Sequence, residues 1–539
     1  MKPIIHKLWM VMAFVCLSIS ASAYDFEADG IFYTITSTAE LTCEVSGSNT
    51  ILDELVIPDS VSYLNRNLTV IALGNRAFQG SNIQKVILPN SVRSLKDRCF
   101  EGAKIITIEN TSNVTFFGKY CFRNCEFLKS IEFGNQAIVR IGGGSFYKCS
   151  ALETVNLNSN TILDDSNGMF TNEGFFEDCI GLKEVTIDCQ ILPQLSFGNC
   201  LSLNTIVFGE NCRYLGTLCF NNCISLVNLT IPSSIIGIKN GCFAGCSSLK
   251  SVRIPESVKL EEKPTSYTIS EFYGESMFRD CTSLEDVDWN ANVIPLYAFE
   301  GCTSLNHLTI GGNTCQIYLG SIPCLGGRYE PRYTFDGCNI KYLTILPSDN
   351  NLELFFRENG SNWSKFKNSL YQVTEHEQKL LQIFDNVEEV YIARNIRGLE
   401  NGESGTQYNS LKRLLLGYGC PHYWSLGVSV DLSNLDYLKS EVSDPPYLPN
   451  EFTTVQYTTM EVEVPSESLE LYKKANVWSK FWNIKGFEYA GVVDIFTDTA
   501  QKSEIGRYDM NGRPISEDYQ GLVIVRFSDG TASKWVINQ

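Results

Sequence analysis

The chain has 539 residues, 44% hydrophobic and 19% charged, which is too long for one ordinary globular core and too apolar for a disordered chain. It requires several domains or one elongated repeat array. The formal charge of −18 disfavours nucleic acid and anionic membranes as partners.

From the N-terminus, Lys2 and Lys7 flank the start of an apolar stretch, Leu8 to Leu17, and Ala21-Ser22-Ala23 follows as a small-x-small cleavage site. Residues 1–23 are therefore expected to be a signal peptide cleaved after Ala23, which makes the protein secreted or displayed on the outer cell surface. Cys16 follows Val15, not the small residue of a lipoprotein leader, so lipidation is not expected. The apolar run is short for a membrane span, and no later segment approaches one. Cleavage removes two lysines and no acid, moving the charge from −18 to −20. The remaining histidines, His307, His376 and His422, lie far apart in sequence, which argues against His-based metal or triad chemistry.

Residues 24–51 read as an N-terminal cap, and a repeat begins at 52. Phe-x-x-Cys occurs nine times, as Phe122/Cys125, Phe146/Cys149, Phe176/Cys179, Phe197/Cys200, Phe220/Cys223, Phe243/Cys246, Phe278/Cys281, Phe299/Cys302 and Phe335/Cys338. Two earlier units keep the Phe with Ser81 or Ala103 in place of the Cys, at Phe78 and Phe100. After the Cys, Leu comes three residues later and apolar residues at six and eight, as in Leu182/Val185/Ile187 and Leu249/Val252/Ile254. Alternation with polar residues such as Thr186 and Arg253 predicts a short half-buried strand. One such unit cannot bury its apolar face, whereas stacked units build a continuous core with a parallel ladder. The Phe column and the Cys column are expected to be the inner ladder of that core.

Twenty cysteines in a secreted chain suggest disulfides. The repeat favours another reading. The Cys after the Phe, and Cys99, Cys121, Cys219 and Cys242 just before it, stand where a small buried residue belongs, so most are expected to be free. Cys189 and Cys212 occupy equivalent places in neighbouring units and are left as a possible disulfide pair.

From about residue 346 the period loosens. Ser364-Lys-Phe-Lys-Asn-Ser-Leu-Tyr and Gln378-Lys-Leu-Leu-Gln-Ile-Phe read as irregular or helical insertions, and repeat-like strands return near Val387 and Leu411, so 346–438 is expected to be degraded repeat. Residues 439–488 form a capping unit in which Tyr472, Trp478, Phe481 and Trp482 cover the exposed end of the stack; the rival reading is an aromatic ligand site. In 489–539, Asn511-Gly512 and Asp529-Gly530 separate alternating strands, predicting two hairpins.

The layout of Leu229-Thr-Ile-Pro-Ser-Ser-Ile-Ile-Gly-Ile and Cys242-Phe-Ala-Gly-Cys-Ser-Ser-Leu-Lys-Ser-Val resembles the BspA-like leucine-rich repeats of surface proteins from gut and oral anaerobes, clearly over 52–345. The resemblance implies a leucine-rich-repeat solenoid, a β-rich parallel ladder with short irregular or 3-10 connections, and an adhesion-type function. The 439–488 unit resembles the terminal unit of such arrays. The 489–539 tail, expected to be a small antiparallel β module, resembles the C-terminal sorting modules of the type IX secretion system, although a plain β tail is the alternative.

Catalytic signatures are absent: there is no Walker loop, HExxH or Gly-x-Ser-x-Gly, and Gly142-Gly143-Gly144 lacks the strand–helix context of phosphate binding and reads as a tight corner. No enzyme activity, cofactor or metal is expected. The expected partner is an extracellular protein or glycan, with a purely structural spacer or a glycan-capture protein as alternatives. Three Phe-to-Phe steps are long, 146 to 176, 243 to 278 and 299 to 335, and their extra residues fall between the strand and the next Phe, on one side of the stack. The second carries Tyr267, Phe272 and Tyr273, and the third Tyr318, Arg328, Tyr329, Arg332 and Tyr333. Aromatics and Arg are enriched at binding hot spots, so these eight are the candidate ligand-binding residues. Alternatively, these loops pack on the stack and cover its edge.

Overall fold

The computed structural model describes residues 24–49, 53–164, 173–260, 274–322, 332–358, 362–365, 382–384, 386–397, 410–418, 420, 432–448, 452–488, 504–509, 521–527 and 532–537. The chain forms two compact units, Met1–Cys189 and Gln190–Gln539. The signal-peptide residues lie outside the described residues.

In the first unit, Phe26–Ala28, Ile31–Ser37 and Thr42–Ser48 make an antiparallel cap. Thr42–Ser48 pairs in parallel with Arg66–Leu73, where the repeat takes over. Most rungs then contribute two short strands. The strand expected after the Leu appears in Glu54–Val56, Lys85–Ile87 and Thr107–Glu109, and again in Thr154–Leu157 and Glu184–Ile187, always parallel. A second parallel ladder, not anticipated from the sequence, joins Arg66–Leu73, Ser94–Leu95, Phe116–Phe117, Val139–Gly142 and Thr161–Asp164. Between the two ladders the chain turns through the Phe. The rings of Phe78, Phe100, Phe122, Phe146 and Phe176 stack face to face with centroids 5.0–5.4 Å apart.

The second unit repeats this plan over a longer run. Ten strands from Asn228–Thr230 to Ile484–Phe487 form one sheet, parallel throughout. Glu389–Ile392 and Arg413–Leu416 sit in full register within it, so the stretch of loosened sequence keeps the ladder intact. The Phe197, Phe220, Phe243, Phe278, Phe299 and Phe335 rings stack at 5.5–6.1 Å. The second ladder runs through Ile191–Leu192, Tyr214–Leu215 and Gly237–Ile238, and again through Val293–Ile294, Gln316–Ile322, Leu352–Glu358 and Ile396–Arg397. Arg332–Tyr333 and Asn362–Lys365 add antiparallel arms to it. The insertion around Ser364 therefore begins as a strand, and Gln382–Phe384 is a 3-10 turn.

No disulfide joins the eighteen cysteines among the described residues, Cys189 and Cys212 included. The Cys after the Phe does more than fill space. Its thiol donates to the carbonyl of the preceding rung's Phe: Cys125 to Phe100 at 2.9 Å, Cys246 to Phe220 at 3.3 Å, Cys302 to Phe278 at 3.1 Å. Ser81 heads the series and has no Phe rung before it; its hydroxyl finds no partner.

Cys200 is buried within the second unit, as are Cys223, Cys246, Cys281 and Cys302. The strand that follows it, Thr205–Phe208, departs from the pattern of other rungs. Its second and fourth residues, Ile206 and Phe208, are only half-buried, whereas those of Glu184–Ile187 and Ser251–Ile254 are buried. Phe208 stands where the other two rungs carry Ile187 and Ile254, and its ring meets Phe220 edge-on at 6.1 Å.

The glycine run is a tight corner: a Cβ on Gly142 would stand 2.7 Å from the Lys119 nitrogen, and Gly144 has φ 64°. At the end of the stack, Tyr472, Trp478 and Phe481 are buried, and Trp478 Nε1 donates to the Pro446 carbonyl at 2.8 Å. Trp482, expected to share that role, is 78% exposed. The cap also uses the helix Thr454–Thr459, opened by a capping box between Thr453 and Gln456, which strand-and-aromatic reasoning missed. In the tail, Glu504–Asp509, Gly521–Phe527 and Ala532–Ile537 form a three-stranded antiparallel sheet; its two Gly turn pairs lie outside the described residues.

Candidate functional site

Of the eight residues singled out on the insertions, Tyr267, Phe272, Tyr273, Arg328 and Tyr329 lie outside the described residues. The other three come from the two strands of one arm. Tyr318 is 3% exposed, its hydroxyl donating to Gln316 Oε1 at 2.9 Å, and Tyr333 is 5% exposed. Both serve as packing at the base of the insertion. Arg332 is half-buried, with its guanidinium 4.1 Å from the centre of the Tyr297 ring and hydrogen-bonded to both oxygens of Glu300. It is held in place by the fold and is not a free anchor.

The ten-stranded sheet presents a second surface. In its regular strands the second and fourth residues enter the core and the first and third face outward, as in Ser251–Ile254 and His307–Ile310. Parallel register brings the outward residues of successive rungs side by side. His307 and Tyr342 stack at 4.5 Å. Further along, Glu389 accepts from Arg413 Nε at 2.8 Å, and the Arg413 guanidinium lies 3.8 Å from the centre of the Tyr437 ring. The Tyr437 hydroxyl donates to Glu463 at 2.7 Å, and Lys485 joins Glu461 and Glu463. Burial, then the bond to Glu463, push the Tyr437 hydroxyl well above its ordinary value. Burial alone would raise Glu463, but Tyr437 and Lys485 outweigh it and leave that carboxyl below its usual range. The result is an outer row in which His307 and Tyr342 form one stacked pair and Glu389, Arg413, Tyr437, Glu463, Lys485 and Glu461 form one interlocked series.

Sequence reasoning placed no candidate on this face and missed Tyr342, Tyr391, Arg413 and Tyr437. Lining up the later strands on their first and third residues would have found them. Among the described residues no group of three or more His, Cys, Asp or Glu is placed to hold a metal ion.

Two short parallel ladders per rung around a column of stacked Phe rings define a leucine-rich-repeat solenoid. The family described as BspA type Leucine rich repeat region matches in six copies over residues 48–173, 169–270 and 263–321, just over half of the chain. The chain belongs to that family. No curated protein matches its sequence. Similar solved structures include a leucine-rich repeat protein from Bacteroides ovatus, 20% identical over 86% of this chain and 100% of that one, with a TM-score of 0.43. A leucine rich cell surface protein from Faecalibacterium prausnitzii is 19% identical over 53% of this chain and 94% of its own, with a TM-score of 0.25. A T. pallidum leucine rich repeat protein is 21% identical over 52% and 90%, with a TM-score of 0.19. No helix among the described residues is long and apolar enough to cross a membrane.

Proposed function

We propose that this chain is a secreted or cell-surface protein that holds an extracellular protein or glycan on a preordered surface and performs no chemistry on it. The observation that carries the reading is the outer row of the ten-stranded sheet. Its aromatic and charged side chains are fixed by each other before any partner arrives, so little side-chain entropy remains to be lost on binding. The insertions offer a second contact region through Tyr267, Phe272, Tyr273, Arg328 and Tyr329. Membership of a repeat family whose similar structures include a named cell surface protein supports the location. The tail of residues 489–539 is proposed to act as the sorting module that delivers the chain outside.

Binding of the mature chain to matrix proteins and to a glycan array tests the function. Tyr342→Ala with Tyr437→Ala should weaken binding if the sheet face is used, and Tyr273→Ala with Tyr329→Ala if the insertions are. A chain that binds neither class of probe would be a structural spacer. Deleting residues 489–539 should leave protein in the periplasm, and surface display of that deletion would retire the sorting role.

A further inference from the structure

Beside the outer row, at the entry to each late strand of the same sheet, lies a second row, of charged residues. Lys341, Glu388, Lys412 and Asp436 follow one another, each joined to the previous one by a backbone N–H···O=C bond of 2.9 Å. Their charges alternate. Glu388 is clamped by Lys341 at 3.1 Å and by Lys412 at 3.0 Å. The hydrogen bonds from these two lysines hold its carboxyl below the usual range and raise Lys412 in turn. Asp436 ends the row, exposed, with no hydrogen bond to its carboxylate among the described residues. At this end the surface opens into a cleft of about 330 Å³ lined by Glu388, Ser410, Lys412, Asn434 and Asp436.

We propose that this cleft binds a neutral sugar unit of an extracellular glycan through its hydroxyl groups. The proposal rests on the reading of the chain as a binding protein and narrows the ligand to carbohydrate at this position. The volume lies at the small end of the range for ligand sites and suits a short oligosaccharide segment. The described lining residues are all polar and present hydrogen-bonding groups to the cleft. Lys341 and Lys412 already neutralise Glu388, which leaves the Asp436 carboxylate facing the cleft and disfavours an anionic ligand there. A polyol needs acceptors and donors side by side. Asp436 is the acceptor, and Lys412, Asn434 and Ser410 supply N–H and O–H groups. Because Glu388 and Lys412 are already fixed by their ion pair, that part of the cleft is set before the ligand arrives.

The test uses the full mature chain and a panel of neutral oligosaccharides, namely fragments of mannan, galactan and xylan, read by isothermal titration. At least one should bind, and Asp436→Ala and Ser410→Ala should each lower its affinity tenfold or more with thermal stability unchanged. Tyr273→Ala with Tyr329→Ala should leave it unchanged. The proposal is overturned if only sulfated or sialylated glycans bind, or if a neutral glycan binds equally well to Asp436→Ala. Binding to a matrix protein without binding to any neutral glycan sinks the sugar site but leaves the binding-protein reading standing. Failure with every probe sinks both.

Discussion

Most rungs bend the backbone into the left-handed region twice, two residues before the Phe and two residues after it; the Phe176 and Phe335 rungs do so only after it. The later position holds Gly80, Asn124, Asp178, Asn222 and Gly301 among others, with φ between 56° and 78°, and these are the residue types that tolerate it. Lys148 is the exception, at φ 60° and exposed. A left-handed residue other than Gly, Asn or Asp costs on the order of 1 kcal/mol, so Lys148→Asn should raise stability by up to about that amount. Thermal denaturation of the variant measures it, and a lower midpoint would show that the contact of Lys148 with the Tyr147 ring outweighs the backbone strain. The position before the Phe is filled by Arg98, Tyr120, Leu195 and Leu218 at φ 54–57°, and no propensity marks it. The thiols belong to the same scale. Burial pushes Cys125 and Cys302 up to about 12 and drives Cys99, Cys121 and Cys149 well above their ordinary value. The reactive species is the thiolate, so a thiol reagent at pH 8 should label few cysteines in the native chain and most of them after denaturation. Rapid native labelling of most thiols would show that the rungs open.

At the scale of elements, the Phe column is the feature the sequence displayed most openly, because one residue type at a fixed interval leaves a single way to stack. Phe243 lies between Phe220 at 5.5 Å and Phe278 at 5.6 Å and is 0% exposed. Phe243→Ala removes a ring from both contacts and should cost about 3–5 kcal/mol, spreading to neighbouring rungs because coupling is between neighbours. A midpoint equal to the parent's in chemical denaturation would contradict the stack. The second ladder escaped detection because strands of two residues, such as Ser94–Leu95 and Gly237–Ile238, are too short for alternation to register. The insertion residues misled for a different reason. Tyr318 and Tyr333 have the composition of a hot spot, but the same aromatic area also seals a core, and only burial separates the two uses. The polar cleft was invisible because Glu388, Lys412 and Asp436 stand 24 residues apart and meet only through parallel register.

For the molecule as a whole, cross-rung ion pairs set the response to acid. In the first unit, burial pushes the Glu101 carboxyl up, but hydrogen bonds from Arg98 and Arg123 overcome this and leave it below its ordinary value. A folded-state value below the unfolded one contributes stability at neutral pH, and that contribution is lost as pH falls through the folded value. Glu177 has the opposite sign: burial raises its carboxyl even though Gly174 N–H donates to it at 2.7 Å. Its charge costs stability at neutral pH, and the cost disappears as acid protonates it. Glu101→Gln should therefore lower the melting temperature at pH 7 and lose the difference near pH 3. Glu177→Gln should raise the melting temperature at pH 7 and lose its gain on acidification. Melting curves of both variants from pH 3 to 8 check the pair, and a shift of the same sign in both would refute the assignment.

The stacking geometry also bears on how such a chain changes length over time. Phe197, Phe220 and Phe243 meet their neighbours at the same 5.5 Å spacing, and Cys223 and Cys246 reach the preceding Phe carbonyl in the same way. The upper and lower surfaces of these rungs are interchangeable. Excising residues 220–242 would join Cys219 to Phe243 and set Phe243 against Phe197, yielding a shorter protein with its register preserved. In-frame loss or duplication of about one rung is then a near-neutral event for the fold. Natural variation can lengthen or shorten the array in whole steps while leaving the late rungs, which carry the outer row and the cleft, untouched.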